Sequence, residues 1–350
     1  MKTWQKLKSE PLLFQRYFVK EYIIRSIREF FQKRNYHELE SPILASALPQ
    51  EHYLNPLTVD LNTKISGIKK AYLIPSTERY NKLILVAGIG EHFVISKVFR
   101  NLEALGPNHS PEFTMCEWYH LSADYFVLMD DSEELIIYIL KYLAENLFHK
   151  EFSSKLSYQN IEIDFTPKWN RLSVEQALRD YSQIELKDIQ EVEKFREVAR
   201  QKGYNITEQD DWEIIFELIF ASEIETKLNP GKPTFVYDYP IQLCPLAKVN
   251  PDNNLVAERV ELYISDKEIA NGYTELTDGE EQERRFKIEQ KERKHLGKEP
   301  ITFDTELIEG LKSGLPEVAG MGMGIDRLAM IFANASSIDD INYFPASEVF

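Results

Sequence analysis

Charged residues stand among apolar ones in three segments, and the first is FRNLEALGPNHSPEFTMCEWYH, residues 99–120. Its apolar runs at 94–100 and 113–119 predict two strands joined by a polar loop. Side chains alternate along a strand, so Glu117 and Tyr119 would share one face. A buried, unpaired carboxylate destabilises a fold, so this face predicts a pocket wall. The alternative is a Glu117 that is salt-bridged inside the sheet.

The chemistry of this pocket follows from the residues around the loop 101–112. Arg100 ends the incoming strand and would face the same cavity, where a guanidinium suits a phosphate or a carboxylate. The loop carries His109 and could fold over a bound ligand, and Phe113 offers a ring on which a base could stack. The segment therefore predicts a site for an anionic ligand that contains a base.

The second segment, 258–275, places Glu261 and Glu268 near the ends of a predicted hairpin. Two carboxylates beside a phosphate-binding arginine are suitable ligands for Mg²⁺, which prefers oxygen donors. A pair of solvated hairpin charges is the alternative interpretation of this segment alone.

The third segment is GMGMGIDRLAMIF, residues 320–332. Its glycines alternate along a predicted strand and would let a ligand approach the backbone closely. Arg327 opens the apolar helix that follows, where it would point at anionic groups of a ligand. The pattern is not a G-x-G-x-x-G fingerprint after a parallel strand.

The elements that must position these segments follow from the periodicity of the apolar residues. Helical spacing covers 11–34, 126–148, parts of 170–228 and the charged run 280–296. Apolar runs of strand type cover 71–86, 91–100 and much of the chain from 233 onward. This mixed order predicts an α+β fold with an antiparallel-rich sheet flanked by helices.

Composition limits the setting and the partners. The chain has 350 residues, a net charge of −16 and two cysteines in apolar contexts. It has no secretory signal and no apolar run of the ~20 residues needed to span a bilayer, so we expect a cytoplasmic protein without a membrane partner. An acidic surface repels phosphate backbones at long range, which disfavours tRNA and suits a basic protein partner or a cationic substrate.

Together the three segments resemble the core of the class II aminoacyl-tRNA synthetases. FRN…HSPEFTMCEWY is similar to motif 2, GMGMGIDR to motif 3, and the first helix with HELESPIL to motif 1, with Pro42 as its proline. PSTERYNKLILVAG and KEIANGYTELTDGEEQERRF resemble the amino-acid and ATP segments of the lysyl branch. The resemblance runs from about residue 14 to residue 332.

The resemblance implies one class II catalytic domain over residues 1–350, with a helical insertion at about 126–230, and a homodimer formed through motif 1. Motif 1 begins early in the chain, so we expect no anticodon-binding domain. That organisation resembles the truncated paralogues, the elongation factor P–lysine ligases. These activate (R)-β-lysine with ATP and Mg²⁺ and transfer it to a lysine side chain of elongation factor P.

The resemblance also implies roles for individual residues. Arg100 and Arg327 would be catalytic, and Glu261 and Glu268 would bind the metal. ATP would be bound by Arg100, Asn101, Glu103, His109, Ser110, Phe113, Glu268, Ile269, Gly324 and Arg327. The substrate would be bound by Ser76, Thr77, Glu78, Glu117, Tyr119, Asn271, Glu275 and Gly322.

Several positions depart from the pattern or leave alternatives open. Leu102 looks like an insertion in the motif 2 loop, and Ser110 replaces an asparagine. Ser76 matches the ligases whereas Gly322 matches the synthetases, so the choice between α-lysine and β-lysine stays open. Two other functions also remain: a minimal synthetase-like enzyme that charges tRNA or another amine, and a regulatory paralogue that binds lysine or ATP.

Overall fold

The computed structural model describes residues 2–65, 67–101 and 106–349. In chain order its strands are β1 His37–Leu39, β2 Leu44–Ala45, β3 Thr58–Thr63, β4 Gly67–Leu73, β5 His92–Phe99, β6 Glu112–Leu121, β7 Lys155–Tyr158, β8 Ile161–Asp164, β9 Asn170–Ser173, β10 Thr234–Pro240, β11 Val256–Ile264, β12 Lys267–Thr274 and β13 Val318–Gly324.

The α-helices of the described residues lie before, between and after these strands. They are α1 Thr3–Ser9, α2 Phe14–Lys33, α3 Glu78–Val86, α4 Tyr125–Asn146, α5 Val174–Ala177, α6 Val192–Gln201, α7 Trp212–Ile219, α8 Gly279–His295, α9 Thr305–Gly314, α10 Ile325–Phe332 and α11 Ala346–Val349. None of the helices in these ranges has the length and apolar character that crossing a lipid bilayer requires.

One large sheet organises the chain. Its strand order is β1-β5-β6-β13-β12-β11-β10-β9. The edge pairs β1–β5 and β9–β10 are parallel and the pairs between them are antiparallel. The predicted antiparallel-rich sheet with flanking helices is therefore confirmed.

One face of the sheet packs in the apolar core, and the other lines a cavity. On one face, Ile27 of α2, Ile139 of α4 and Leu328 of α10 pack in a core with Cys116 and Trp118 of β6. The alternate residues of β6, among them Glu117 and Tyr119, line a cavity on the other face. The predicted alternation along this strand is confirmed, because burying Trp118 in the core forces its neighbours to the opposite side.

The strand-type prediction for 71–86 is wrong in its second half. β4 ends at Leu73, and residues 78–86 form α3 instead. The buried positions of α3 are Glu78, Arg79, Asn81, Lys82 and Leu85. Polar residues make up most of this buried face, so a search for apolar periodicity could not find the helix.

The region 126–230 is less uniformly helical than expected. After α4 it contains β7, β8 and β9, and the last of these joins the edge of the large sheet. The helices from 174 onward enclose a separate apolar core around Phe195, Ile215 and Phe216. This helical unit thereby stands beside β10 and β11, and one side of α7 reaches the cavity.

Candidate active site

A cavity of about 780 Å³ lies on the open face of the sheet. Most of the predicted site residues line it, although they come from distant parts of the chain. They are Ser76, Glu78, Arg100, His109, Ser110, Phe113, Glu117, Tyr119, Glu261, Glu268, Ile269, Asn271, Glu275, Gly322, Gly324 and Arg327. Asn101 is exposed and donates from its backbone N–H to the Asn55 carbonyl (3.1 Å). The prediction for Glu103 falls outside the described residues.

The sheet register brings these side chains together. One row crosses four strands, because Glu261 pairs with Asn271, Asn271 with Gly322, and Gly322 with Glu117. Since every second residue of a strand points to the same face, all four positions contribute to the floor of the cavity. Glycine at position 322 leaves the space above this row open.

A second row shows why glycine is needed at position 320. Gly320 pairs with Tyr119 on one side and with Tyr273 on the other. A Cβ atom there would lie 2.6 Å from Oε1 of Glu275 and 2.6 Å from a ring carbon of Tyr119. The close approach that the sequence predicted at this glycine is therefore an approach of the protein's own side chains.

We call the part of the cavity around Arg100 and Arg327 the arginine end. Arg327 opens α10, directly after β13. Its guanidinium donates to the Glu268 carbonyl at 2.9 Å and lies 2.9 Å from Nε2 of His109. These contacts tie the loop that carries His109 to β12. A fixed cation at this position is suited to an anionic ligand such as a phosphate chain.

Arg100 and Phe113 form the other wall of the arginine end. The Arg100 guanidinium carbon lies 5.4 Å from the centroid of the Phe113 ring, a cation–π distance. The two residues are held together because Arg100 donates from its backbone N–H to the Pro111 carbonyl at 3.0 Å. The free face of such a ring can stack on a base. The arrangement can thus hold a phosphate beside an aromatic platform.

Glu261 and Glu268 supply the carboxylates predicted for a metal. Oε1 of Glu261 lies 2.7 Å from Arg259 and 3.2 Å from Nδ2 of Asn271, while Oε2 accepts from the hydroxyls of Tyr239 and Tyr263 at 2.6 and 2.7 Å. The side chain of Glu268 is 39% exposed and lies 3.4 Å from Arg327.

This geometry tests the fit of a divalent cation. A carboxylate pair has the right donor chemistry for a hard cation. Glu268 can offer its oxygens directly, whereas Glu261 would have to give up one of its four donors. No group of three or more potential metal ligands is present among the described residues. Burial, partly offset by Arg259, raises the pKa of Glu261.

We call the opposite part of the cavity, around Glu78, Glu117 and Glu275, the carboxylate end. Oε1 of Glu117 accepts the backbone N–H of Thr77 at 2.6 Å, and Oε2 accepts from Nδ2 of Asn81 at 3.2 Å. These donors are neutral, so they do not cancel the charge. Burial raises the pKa of Glu117 to about 7. Such a carboxylate gains stability when a cation binds to it.

Sequence reasoning missed Lys82 at this end. Its Nζ lies 2.5 Å from Oε1 of Glu78 and 2.7 Å from Oε2 of Glu275, and its side chain is fully buried. Burial alone would lower the pKa of Lys82, but the two carboxylates raise it. Burial also raises the pKa of Glu275 although Lys82 opposes the shift. Both shifts point upward because carboxylates outnumber ammonium groups here.

A usable signal for Lys82 was present in the sequence. Glu78 and Lys82 are four residues apart, which on a helix brings an acid and a base together. The pair was overlooked because 71–86 was interpreted as strand, where residues four apart do not touch. The helix assignment decides whether this lysine belongs to the site.

Three acidic residues of the helical unit were also missed. Glu213, Glu217 and Glu225 line the cavity, together with the rings of Phe216 and Phe220. Glu213 and Glu217 are one helical turn apart and therefore share a side. Burial raises the pKa of both Glu217 and Glu225. The helical unit thus adds three carboxyl groups to the lining of the cavity.

The mostly antiparallel sheet carries two arginines and an aromatic ring at one end of a cavity. A glycine strand followed by an arginine-bearing helix completes the arrangement that the resemblance to the class II synthetase core predicts. The family described as tRNA synthetases class II (D, K and N) matches residues 5–348. The chain belongs to this family, which confirms the family-level resemblance and the fold class.

Individual relatives narrow the comparison to the lysyl branch. The lysine–tRNA ligase of Wigglesworthia glossinidia brevipalpis is 36% identical over 332 residues, covering 92% of this chain and 63% of the relative. That of Shewanella sediminis is 34% identical over 343 residues, covering 94% and 65%. That of Clostridium tetani is 34% identical over 336 residues, covering 92% and 62%. The chain thus spans less than two thirds of the length of these relatives.

Proposed function

We propose that the protein activates lysine or (R)-β-lysine with ATP as an acyl-adenylate and transfers it to a lysine side chain of elongation factor P. The observation that carries the proposal is the division of one cavity into an arginine end and a carboxylate end. The arginine end suits a nucleoside triphosphate, and the carboxylate end suits an amino acid with ammonium groups. The identity to lysine–tRNA ligases supports the choice of lysine.

In the activation step, Arg100 would bind the α-phosphate and orient the substrate carboxylate for in-line attack. Arg327 and His109 would bind the outer phosphates, and Phe113 would stack on the adenine. A new C–O–P link forms while pyrophosphate leaves, and no protein nucleophile is needed. Rate enhancement would come from positioning and from fixed positive charge. Mg²⁺, for which Glu268 and Glu261 are the candidate ligands, would supply further neutralisation of phosphate charge.

At the carboxylate end, Glu78 would bind the amino group nearest the reacting carboxylate, while Glu117, Tyr119 and Glu275 would bind the terminal ammonium. In the transfer step an acceptor amine attacks the acyl carbon. The bond to the phosphate oxygen breaks, AMP leaves and the amine loses a proton.

We expect the acceptor to pass the acidic residues that the helical unit contributes to the cavity. Glu217 and Glu225 would repel phosphates and attract a cationic side chain, whereas the charge of Glu213 is offset by His52 at 2.9 Å. The net charge of −16 acts in the same direction at long range. Both observations favour a lysine side chain of a protein over a tRNA end.

The first experiment is ATP–pyrophosphate exchange with α-lysine and with both β-lysine enantiomers in parallel. We expect exchange with at least one of them and with no monoamino acid of similar length. The second experiment offers labelled lysine or β-lysine, in separate reactions, to elongation factor P and to tRNA. Label on the factor alone supports the proposal, and label on tRNA with an untouched factor rejects it.

Charging of tRNA is the second candidate, because the relatives are named lysine–tRNA ligases. The same transfer experiment decides between the two acceptors. Lysine binding without exchange would instead favour the regulatory paralogue.

The motif 1 homodimer stays a prediction. Trp4, Leu12 and Phe18 near the start of the chain are exposed large apolar residues, as an interface would require. Light scattering that finds only monomer would reject it.

A further inference from the structure

We propose that Lys82 is a positioning residue that supplies a built-in counter-charge to the carboxylate end, so that carboxyl groups remain in excess there and select substrates with two ammonium groups. The proposal rests on the proposed function for the identity of the substrate, a diamino acid. It goes beyond that function by assigning a role to Lys82, which lies in the segment PSTERYNKLILVAG but is not among the predicted site residues.

The charge balance follows from the contacts. Glu78, Glu117 and Glu275 all line the cavity, and Lys82 contacts two of them at 2.5 and 2.7 Å. Three carboxyl groups and one ammonium group leave two carboxyl groups without a cation of their own. A diamino acid brings two ammonium groups, so the filled pocket has no excess buried charge at this end.

The position of Lys82 excludes a simpler role as a surface charge. The side chain is 0% exposed and lies behind the carboxylates, on the helix that backs the cavity. It fixes one oxygen each of Glu78 and Glu275. The other oxygen of Glu78 accepts from the hydroxyl of Tyr273 at 2.7 Å. Both carboxylates are therefore held in place before a substrate enters.

The surrounding elements bring further titratable and charged groups. Tyr273 on β12 lies with its ring centroid 5.7 Å from Nζ of Lys82. Tyr119 and Glu117 on β6 complete the wall, and His92 of β5 stacks on Tyr119. Arg79 of α3 pairs with Asp304 and Glu306 at the start of α9, and so its charge is already balanced.

Removal of Lys82 has a consequence that depends on pH. Three carboxylates so close together cannot all stay ionised, and a proton from water would replace the lost cation. An incoming ammonium group would then have to displace that proton. Binding of a diamino acid would be weakened at neutral pH. It would recover at higher pH, where the carboxyl group is already deprotonated before the ligand binds.

The test measures ligand binding by calorimetry rather than catalysis. In the unaltered protein, 1,5-diaminopentane should bind at least ~10-fold more tightly than 1-aminopentane, as expected for an additional hydrogen bond to a charged group. Equal affinities of the two amines would overturn the proposal, whether or not any variant folds.

The variant Lys82→Met sharpens the test. We expect lysine to bind about tenfold more weakly at pH 7, equivalent to one pK unit, with recovery toward pH 9. Titrations in buffers of different ionisation enthalpy should show about one additional proton released per lysine bound. Lys82→Arg retains the cation and should show no additional proton release, and ATP binding should not change in either variant.

Lys312→Met serves as the control, because Lys312 is an ion-paired lysine on the surface of α9. A Lys82→Met protein that melts at a lower temperature but keeps its affinity and proton count would overturn the proposal in favour of a purely structural lysine. Binding of diamines without ATP–pyrophosphate exchange would reject the proposed function and leave the role of Lys82 standing.

Discussion

The two ends of the cavity differ in how firmly their charge is fixed. At the arginine end, the charged groups are the guanidiniums of Arg100 and Arg327, and guanidinium is the side-chain cation that proteins do not deprotonate. At the carboxylate end, burial raises the pKa of Glu117 to about 7 and also raises that of Glu275. The charge of this end therefore depends on pH and on its partners.

The comparison teaches that the two ligands are bound by different strategies. At the arginine end, Arg327 donates to the Glu268 carbonyl at 2.9 Å and lies 3.4 Å from the Glu268 carboxylate, and its guanidinium suits a phosphate chain. The carboxylate end carries more acid than it can keep ionised alone, so an ammonium ligand completes it. Variants at each end should thus separate ATP binding from lysine binding.

The largest effect is expected at the arginine end. Arg327→Met should lower the rate of ATP–pyrophosphate exchange about 10²–10³-fold, as removal of a group that stabilises transition-state charge does. Lysine binding, measured by calorimetry without ATP, should stay unchanged. Arg284→Met on the surface of α8 is the control. A parallel loss of lysine affinity would show that the ends are not independent.

The second effect concerns Glu117. Glu117→Gln should weaken lysine binding by about 10–100-fold, because one charge-assisted hydrogen bond is lost, and should leave ATP binding intact. The ionised form binds the ammonium, so lysine affinity of the unaltered protein should rise as the pH increases through about 7.

The Glu117→Gln protein should lose this part of the pH dependence. Glu112→Gln, an exposed position of the same strand, is the control. Equal losses for lysine and ATP would refute the assignment of Glu117 to the substrate.

The third effect is a change in preference between isomers. A methyl group at Gly322 would lie 3.3 Å from Sδ of Met115 and 3.7 Å from Cγ of Glu117. The flexible Met115 can yield, so Gly322→Ala should fold and reshape the carboxylate end.

We expect Gly322→Ala to shift specificity toward β-lysine by about tenfold, within the usual worth of one methylene. Exchange assays with α-lysine and β-lysine measure the ratio. Gly324→Ala changes the arginine end instead and should leave that ratio alone. An unchanged ratio in Gly322→Ala would remove this role.

The smallest effect on activity is expected at His52, which contacts two carboxylates. Its ring nitrogens lie 2.9 Å from Glu213 and 2.7 Å from Glu289, and so it links α7 to α8. Burial alone would lower the pKa of His52, but the two carboxylates raise it to about 10.

A folded-state pKa above the ordinary value of 6.5 contributes stability that is fully present below pH 6.5 and lost as the pH rises through about 10. His52→Gln should therefore lower the free energy of unfolding by about 2 kcal/mol at pH 6, and by less as the pH approaches 10. Urea unfolding at several pH values measures this. A difference that is constant with pH would show that His52 acts without its charge.

Much of the arginine end could be predicted from the sequence. Strand periodicity placed Phe113 on the cavity face, and the strand end and the helix start placed Arg100 and Arg327 toward the ligand. All three residues line the cavity. The carboxylate end was predicted less completely. Glu117 was placed on the correct face. The residues of α3 were interpreted as a strand, and for that reason Lys82 was not assigned to the site.

The contacts of Glu261 could not be predicted from the sequence either. Its position beside Glu268 followed from the hairpin, but its contacts with Arg259, Tyr239 and Tyr263 did not. Side-chain contacts across strands depend on the register in which the strands pair, and this register cannot be read from the sequence.

The sequence by itself determined the family, the fold class and the faces of the main strands, because motif order and the periods of 2 and 3.6 residues are local properties. The tertiary structure alone decided which carboxylates are paired with a cation or a hydrogen-bond donor. Glu78 and Tyr273 meet although they are 195 positions apart, and Lys82 reaches Glu275 over a similar separation. The charge of a buried group is set by such neighbours and by exclusion of water, and only the folded chain defines both.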